Sequence, residues 1–344
     1  MPENVTIIGG GLAGLTLGIG LRRRGVPVTV WEAGRYPRHR VCGEFISGNG
    51  QISLARLDLL DGLRSAGACS ARSVAFFAGP TMIVEHTLPE AALCISRFEL
   101  DQLLARQFQR LGGELRQGAR WCGEFGEGIV RASGRRAEPL TDGWRLFGLK
   151  VHARGISLEA DLEMHFVPSG YVGLCKLASG EVNVCGLFRS KATVPDLAQR
   201  WRDWLGGPAA SLLHSRLAVA HFDEDSFCSV AGLCLRPQCA IQRNECCVGD
   251  VFTMIPPVTG NGMSMAFESA ELAIEPLVKF SHGELTWQDV TLEIASRCDE
   301  RFAARLRWAA WLQRALFQPR ARSVLMFLAA RSEWSWRGIF ERTR

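Results

Sequence analysis

The run Gly9-Gly10-Gly11-Leu12-Ala13-Gly14 follows the apolar stretch Val5-Thr6-Ile7-Ile8 and leads into a helical pattern from about Leu12 to Arg24. In a G-x-G-x-x-G turn the first glycine permits a tight reversal and the second lets backbone approach a pyrophosphate. The third lets helix and strand pack closely. Amides at the helix N-terminus, carrying roughly half a positive charge from the helix dipole, then face the phosphates. Val28-Thr29-Val30-Trp31 predicts a second strand, with Gly25 ending the helix before it. Glu32 stands at the end of that strand, 18 residues beyond Gly14, where a carboxylate can accept hydrogen bonds from a ribose diol. The segment therefore predicts a β-α-β unit that binds a dinucleotide through Gly9, Gly11, Leu12, Ala13, Gly14 and Glu32.

A second signal lies far along the chain. Cys247-Val248-Gly249-Asp250 precedes Pro256-Pro257-Val258-Thr259-Gly260-Asn261-Gly262, and a long helical pattern runs from Gly262 to Phe280. A Gly-Asp turn can aim a carboxylate at polyol hydroxyls, and a Pro/Gly-rich turn into a helix presents amide donors to an electron-rich ring edge. Two dinucleotide-contacting turns imply one long ligand. A flavin dinucleotide with its ribityl chain needs both, whereas a nicotinamide dinucleotide does not.

Periodicity places a helix over Leu54 to Ala66, a β-rich stretch over Ser73 to His86, and a helix over Arg97 to Leu111. From Trp144 to Phe188 short apolar runs alternate with Gly, Ser, Pro and Asp, as an antiparallel sheet requires, and residues 163–171 and 183–188 read as paired strands of it. A helix is expected from Asp196 to Leu205 and a strand from Glu245 to Val248. No internal repeat emerges. The expected fold class is α/β: a Rossmann-like unit, an antiparallel sheet and a helical C-terminal tail.

With 47% hydrophobic and 22% charged residues, 344 residues suffice for two domains that enclose a ligand. No secretory pattern opens the chain and no apolar run approaches bilayer length, so a cytoplasmic protein with reduced thiols is expected despite twelve cysteines. No C-x-x-C or zinc-finger histidine spacing occurs, so no metal is expected. The net charge of +5 is carried by the tail, where residues 300–344 hold ten arginines against three glutamates, a balance of +7. Trp308, Trp311, Phe317, Phe327, Trp334, Trp336 and Phe340 interleave with them. The expected arrangement is a helical pair with its apolar side on the body and its arginines solvated; a peripheral membrane contact through this tail is the alternative expectation, ahead of nucleic acid.

Taken together, these motifs resemble the FAD-dependent oxidoreductases of the para-hydroxybenzoate hydroxylase fold, in the branch of geranylgeranyl reductase-like enzymes and small flavoprotein monooxygenases. The resemblance spans about residues 3–300 and leaves the tail outside. It rests on the glycine-rich unit, on "RVCGEFIS" (residues 40–47), on "ISRFELDQLL" with Arg97 and Asp101, and on "VGDVFTMIPPVTGNGMSMAFESA" with Gly249, Asp250, Gly260, Asn261 and Gly262. It implies a Rossmann-like FAD-binding domain (residues 1–69, 94–141 and 241–299) interleaved with an antiparallel-sheet substrate domain (70–93 and 142–240), with the helical tail at 300–344. It also implies bound FAD, NAD(P)H as transient reductant, and Arg40, Cys42, Glu44 and Arg97 as flavin neighbours. Cys42 could protonate a carbanion and Glu44 could orient or deprotonate a substrate; alternatively Cys42 packs and Glu44 caps backbone amides. Ser133, in Ala132-Ser133-Gly134, stands where many relatives carry an acid. Halogenating cousins carry W-x-W-x-I-P and an essential lysine, whereas this chain has no lysine before Lys150, which disfavours halogenation.

The implied activity is hydroxylation of an apolar or aromatic small molecule by way of a flavin C4a-hydroperoxide. The alternatives are saturation of carbon-carbon double bonds in an isoprenoid or lipid, and non-catalytic binding of lipid or nucleic acid. His165 and Tyr171 are further polar candidates above the ring.

Overall fold

The computed structural model describes residues 3–138, 140 and 143–343. The first glycine-rich unit forms as the apolar pattern requires: β1 (Val5–Ile8), α1 (Leu12–Arg23) and β2 (Val28–Glu32), with β1 and β2 parallel. β3 (Phe45–Ile46), α2 (Asn49–Arg56) and α3 (Leu60–Ser65) follow. The single helix expected over residues 54–66 is thus two helices in a different register. Asp58 adopts a left-handed φ of 46° between them, a conformation that ends a right-handed helix and that Asp tolerates better than most residues.

A long hairpin, β4 (Cys69–Ala78) and β5 (Thr81–Cys94), leads to α4 (Arg97–Arg110), whose N-cap Ser96 accepts from the Glu99 amide. β6 (Glu114–Gln117) and β7 (Ile129–Arg131) complete a parallel four-stranded sheet in the order β6-β2-β1-β7. The strand expected over Glu245 to Val248 is reduced to one bridge: Arg131 donates its amide to the Cys246 carbonyl and accepts from the Val248 amide. The turn at Gly249 follows at once and leaves no room for a ladder.

The second sheet contains β8 (Arg145–Arg154), β9 (Leu162–Val167), β10 (Gly170–Lys176), β11 (Val182–Ser190) and, after α5 (Trp201–Leu205) and α6 (Leu212–Ala218), β12 (His221–Ala231). Its order is β12-β8-β11-β10-β9-β4-β5-β3, antiparallel except for β4 beside β9. Of the two segments expected to pair, Gly170 and Tyr171 at the start of β10 do pair with Phe188 and Leu187 of β11, whereas residues 163–167 lie in β9, which is separated from β11 by β10. The helix expected from Asp196 starts only at Trp201, because Asp196 itself takes a left-handed φ of 52°.

Four helices close the chain: α7 (Gly262–Ser281), α8 (Trp287–Leu316), α9 (Pro319–Arg331) and α10 (Glu333–Arg342). α8 runs unbroken through the expected boundary at residue 300, and the expected boundary at residues 141–142 lies outside the described residues. The tail arginines are not all solvated: Arg305 is buried and bidentate on Glu268 at 2.6 and 3.0 Å. One core packs α1 against α4, α7 and the parallel sheet. On β8, Phe147, Leu149, Val151 and Ala153 face a second core under α5 and α6, which by the period of two turns Gly148, Lys150 and His152 to the opposite side. A third core lies between the large sheet and α8–α10, where Phe76, Leu162 and Leu187 meet Leu312, Met326, Trp336 and Phe340.

Candidate active site

One cavity of about 1020 Å³ runs along the seam between the two sheets. That is at the upper end of roughly 300–1,000 Å³ for small-ligand sites. At one end lie Gly9, Gly11, Leu12, Ala13 and Glu32; along its middle lie Arg97, Gly249, Asp250, Gly260 and Gly262; at the other end it opens into the apolar space under α8–α10. Of the residues singled out in the sequence, Gly14, Asp101, His165 and Asn261 do not line it.

The glycine turn divides its work by position. A Cβ on Gly14 would stand 1.9 Å from the Gly9 carbonyl oxygen, so this glycine serves the packing of helix on strand. A Cβ on Gly11 would meet nothing within 4 Å and would project where a ligand passes. Gly11 is also the N-cap of α1 and supplies no side-chain cap, which leaves the first amides of the helix to an anion.

Glu32 is buried, and its carboxylate accepts from the Gly10 amide (2.9 Å), the Gly34 amide (2.8 Å) and Arg38 (2.6 Å), with Arg40 at 3.7 Å. Burial pushes its pKa up, but the Gly34 amide and the two arginines outweigh that and hold it below the usual carboxylate value. Trp31, Trp121 and Phe125 also line this end. Trp31 falls in the predicted second strand, whereas Trp121 and Phe125 lie in no predicted element.

In the middle of the cavity Arg97 forms a bidentate pair with buried Asp101, both bonds at 2.8 Å, and Arg40 joins the same carboxylate at 3.2 Å. Burial works against the Arg97 charge, yet Asp101 outweighs it and raises its pKa. Across the groove burial lifts the Asp250 carboxyl to about 6, against the opposing pull of Arg135 and Arg97. Arg135 and Ser133 line the same stretch. Asn261 is spent on the protein itself: it accepts from Ser47 at 3.3 Å and donates to the Thr343 carbonyl, tying the start of α7 to the end of the tail.

Cys42 and Glu44, the two catalytic candidates, border the cavity and differ in what they have left to offer. Burial raises the Cys42 pKa despite Arg97 and so keeps it a thiol. Glu44 is fully buried at a left-handed φ of 60°, with both oxygens engaged. One oxygen accepts from the Arg97 amide at 2.9 Å and lies 3.5 Å from the Lys150 ammonium; the other is 2.6 Å from His152 Nε2. Burial pushes this carboxyl up, but His152 and Lys150 bring its pKa below the ordinary value. Lys150 in turn reaches His39 Nδ1 at 2.9 Å. An ammonium can only donate, so Nδ1 accepts and the His39 proton sits on Nε2. Burial and then Lys150 push His39 down to about 4. Glu44 thus joins the start of α4 to β8, as the backbone-capping alternative expects. Lys150 and His152 could have been noticed as polar residues at alternate positions of an otherwise apolar strand.

Tyr171 lines the apolar end, its hydroxyl donating to Gln313 Oε1 at 3.0 Å. His165 does not line the cavity; it is bonded to Glu163 at 2.8 Å and stacked on Phe77 at 4.5 Å.

Residues 7–43 match the model of an NAD(P)-binding Rossmann-like domain. No curated protein matches the chain. Among solved structures, the p-nitrophenol 4-monooxygenase PnpA from Pseudomonas putida DLL-E4 superposes with a TM-score of 0.77 at 17% identity, covering 99% of this chain and 98% of that one. The flavin-dependent brominase Bmp2 gives 0.72 at 17%, covering 95% and 94%. The halogenase PltM, solved with phloroglucinol and FAD, gives 0.72 at 15%, covering 91% and 77%. These identities establish a shared fold. At 99% coverage it extends into the tail, so the likeness is not confined to residues 3–300 as the sequence motifs suggested.

Proposed function

We propose that this chain is an FAD-dependent oxidoreductase, and within that class an NAD(P)H-dependent monooxygenase that hydroxylates an apolar or aromatic small molecule. The observation that carries this reading is the continuity of one cavity from the Gly11 turn, past Asp250 and the Gly260–Gly262 turn, to an apolar chamber. Residues at the Gly11 end and along its middle can hold the two halves of one dinucleotide, which leaves the apolar chamber to the substrate. FAD, when bound, supplies the redox chemistry: it takes electrons from a nicotinamide and activates oxygen.

The protein's own share is binding, orientation and exclusion of water. The open amides of α1 would receive the pyrophosphate, Glu32 and Asp250 would hold ribose and ribityl hydroxyls, and Arg97 would offset negative charge at the ring. Phe76, Leu162, Leu187, Met326, Trp336 and Phe340 keep the chamber dry, which suits a substrate with few polar groups. Lysine-dependent halogenation is disfavoured even beside halogenating structural neighbours, because none of Lys150, Lys176, Lys191 and Lys279 lines the cavity and Lys150 is fully buried between Glu44 and His39. A second reading, saturation of a carbon-carbon double bond, is favoured by Cys42: a protonated thiol bordering the cavity can give a proton to a carbanion.

The test is turnover of phenols and prenyl lipids by the purified FAD-loaded protein under labelled oxygen. Label incorporated into product, with NAD(P)H consumed, is the expected result. Saturation without oxygen selects the second reading, and a protein that takes up no FAD overturns both.

A further inference from the structure

We propose that the outward face of α9, flanked by Trp311 on α8 and Trp334 on α10, docks on the surface of an anionic lipid bilayer. Arg320, Val324, Phe327, Leu328 and Arg331 recur at the spacing of one helical stripe, and all are exposed. The three apolar members are no partial burials: Val324, Phe327 and Leu328 are 59%, 53% and 50% exposed. The opposite face of the same helix carries Leu325, Met326 and Ala329 into the cavity lining. α9 is therefore apolar on both sides, with Arg320 and Arg331 at the ends of the outer stripe and Arg322 turned inward over the Phe166 ring.

The neighbouring helices extend the pattern. On α8 the exposed stripe reads Arg307, Trp311, Arg314, and on α10 Trp334 is 85% exposed beside Arg337. Tryptophan and arginine together are the residues of a membrane interface, where an indole sits at headgroup level and a guanidinium meets phosphate. α9 contains three arginines and no acid.

That charge decides between occupants. A second copy joined about a two-fold axis would set these arginines against their own kind, which costs free energy rather than gaining it. A nucleic acid would satisfy the arginines but leave Val324 and Leu328 with no apolar partner. An anionic bilayer satisfies both. Among the described residues no helix is long and apolar enough to cross a membrane, so the contact is with the surface. It would bring the helical roof of the apolar chamber to the phase in which apolar substrates dissolve.

The experiment is co-sedimentation of the full chain, loaded with FAD, with phosphatidylcholine vesicles and with vesicles that also contain phosphatidylglycerol. The expected result is partition onto the anionic vesicles, reduced about thirtyfold by the pair Arg320→Gln and Arg331→Gln and also lost in the triple variant Val324→Ser, Phe327→Ser, Leu328→Ser. Absence of partition onto either vesicle overturns the proposal. So does partition that salt abolishes and the serine variant leaves intact, the behaviour of a polyanion site. A wild-type dimer that Phe327→Ser converts to monomer overturns it as well. FAD content and the circular dichroism melting curve of each variant, measured on the same samples, separate loss of docking from loss of fold and from failure of the flavin reading.

Discussion

Gly11 and Gly14 are three residues apart and chemically identical, yet they are expected to fail in different ways. Alanine at Gly14 places a methyl group 1.9 Å from the Gly9 carbonyl oxygen, a backbone atom that cannot yield without moving β1 from α1. Overpacking of this kind costs about 1–3 kcal/mol or more. Alanine at Gly11 meets no protein atom within 4 Å and should leave the stability of the cofactor-free protein within about 0.5 kcal/mol of wild type. The order reverses when FAD is added. A ligand at about a hundred times its dissociation constant stabilises by about 2.7 kcal/mol, and Gly11→Ala should forfeit most of that gain because its methyl group stands in the ligand's path. Urea unfolding with and without FAD checks both halves. If Gly11→Ala gains as much from FAD as wild type does, the pyrophosphate does not pass over this turn.

At the scale of elements, the tail is the roof of the chamber. Trp336 is nearly buried; its ring stacks on His86 at 4.6 Å, meets Phe76 edge-on at 5.8 Å, and its indole NH points at the Thr87 carbonyl at 3.4 Å. Trp336→Ala should cost about 3–5 kcal/mol, measured by chemical denaturation, and a loss below 1 kcal/mol would mean that α10 is dispensable to the core beneath it. The sequence marked the tail as basic and aromatic but could not say which aromatics turn inward. Trp334 and Trp336 are two residues apart on one helix, the first exposed and the second buried against the hairpin β4–β5, and only that tertiary contact distinguishes them. The β-α-β unit, α4, α7 and the antiparallel texture of the second sheet were legible, because each has a long period or a glycine turn with one physical explanation. The break at Asp58, the shortening of α5 and the order of β9, β10 and β11 were not. They depend on single left-handed residues and on tertiary strand pairing, for which local pattern carries little signal. At the site, the glycines and the acids could be read from the sequence, while the partners that occupy Glu44 come from a strand more than a hundred residues away.

For the molecule as a whole, the buried charges around Glu44 tie the start of α4 to β8 of the large sheet, and this makes the fold sensitive to acid in a defined order. His39 titrates near 4 in the folded chain and near 6.5 when exposed, so between these values the unfolded state holds a proton that the folded state does not. Stability from this group is fully present above pH 6.5 and is lost as the pH falls toward 4. Glu44, depressed below its ordinary value of 4.5, contributes in the same sense but lower: its share is present above pH 4.5 and is lost as the pH falls through the folded value. His39→Gln keeps an acceptor for the Lys150 ammonium and takes up no proton, so its stability should decline less steeply than wild type between pH 6.5 and 4. Glu44→Gln removes the counter-charge of a fully buried lysine and should cost about 3–5 kcal/mol at neutral pH. Its deficit relative to wild type should close below pH 4.5, where the wild-type carboxylate is being protonated as well. Denaturant unfolding of the three proteins across this range tests the sequence of events. If Glu44→Gln keeps the same deficit from pH 7 to pH 3, then the ionised carboxylate is not what holds β8 against the start of α4, and that junction must be held by the apolar contacts around it.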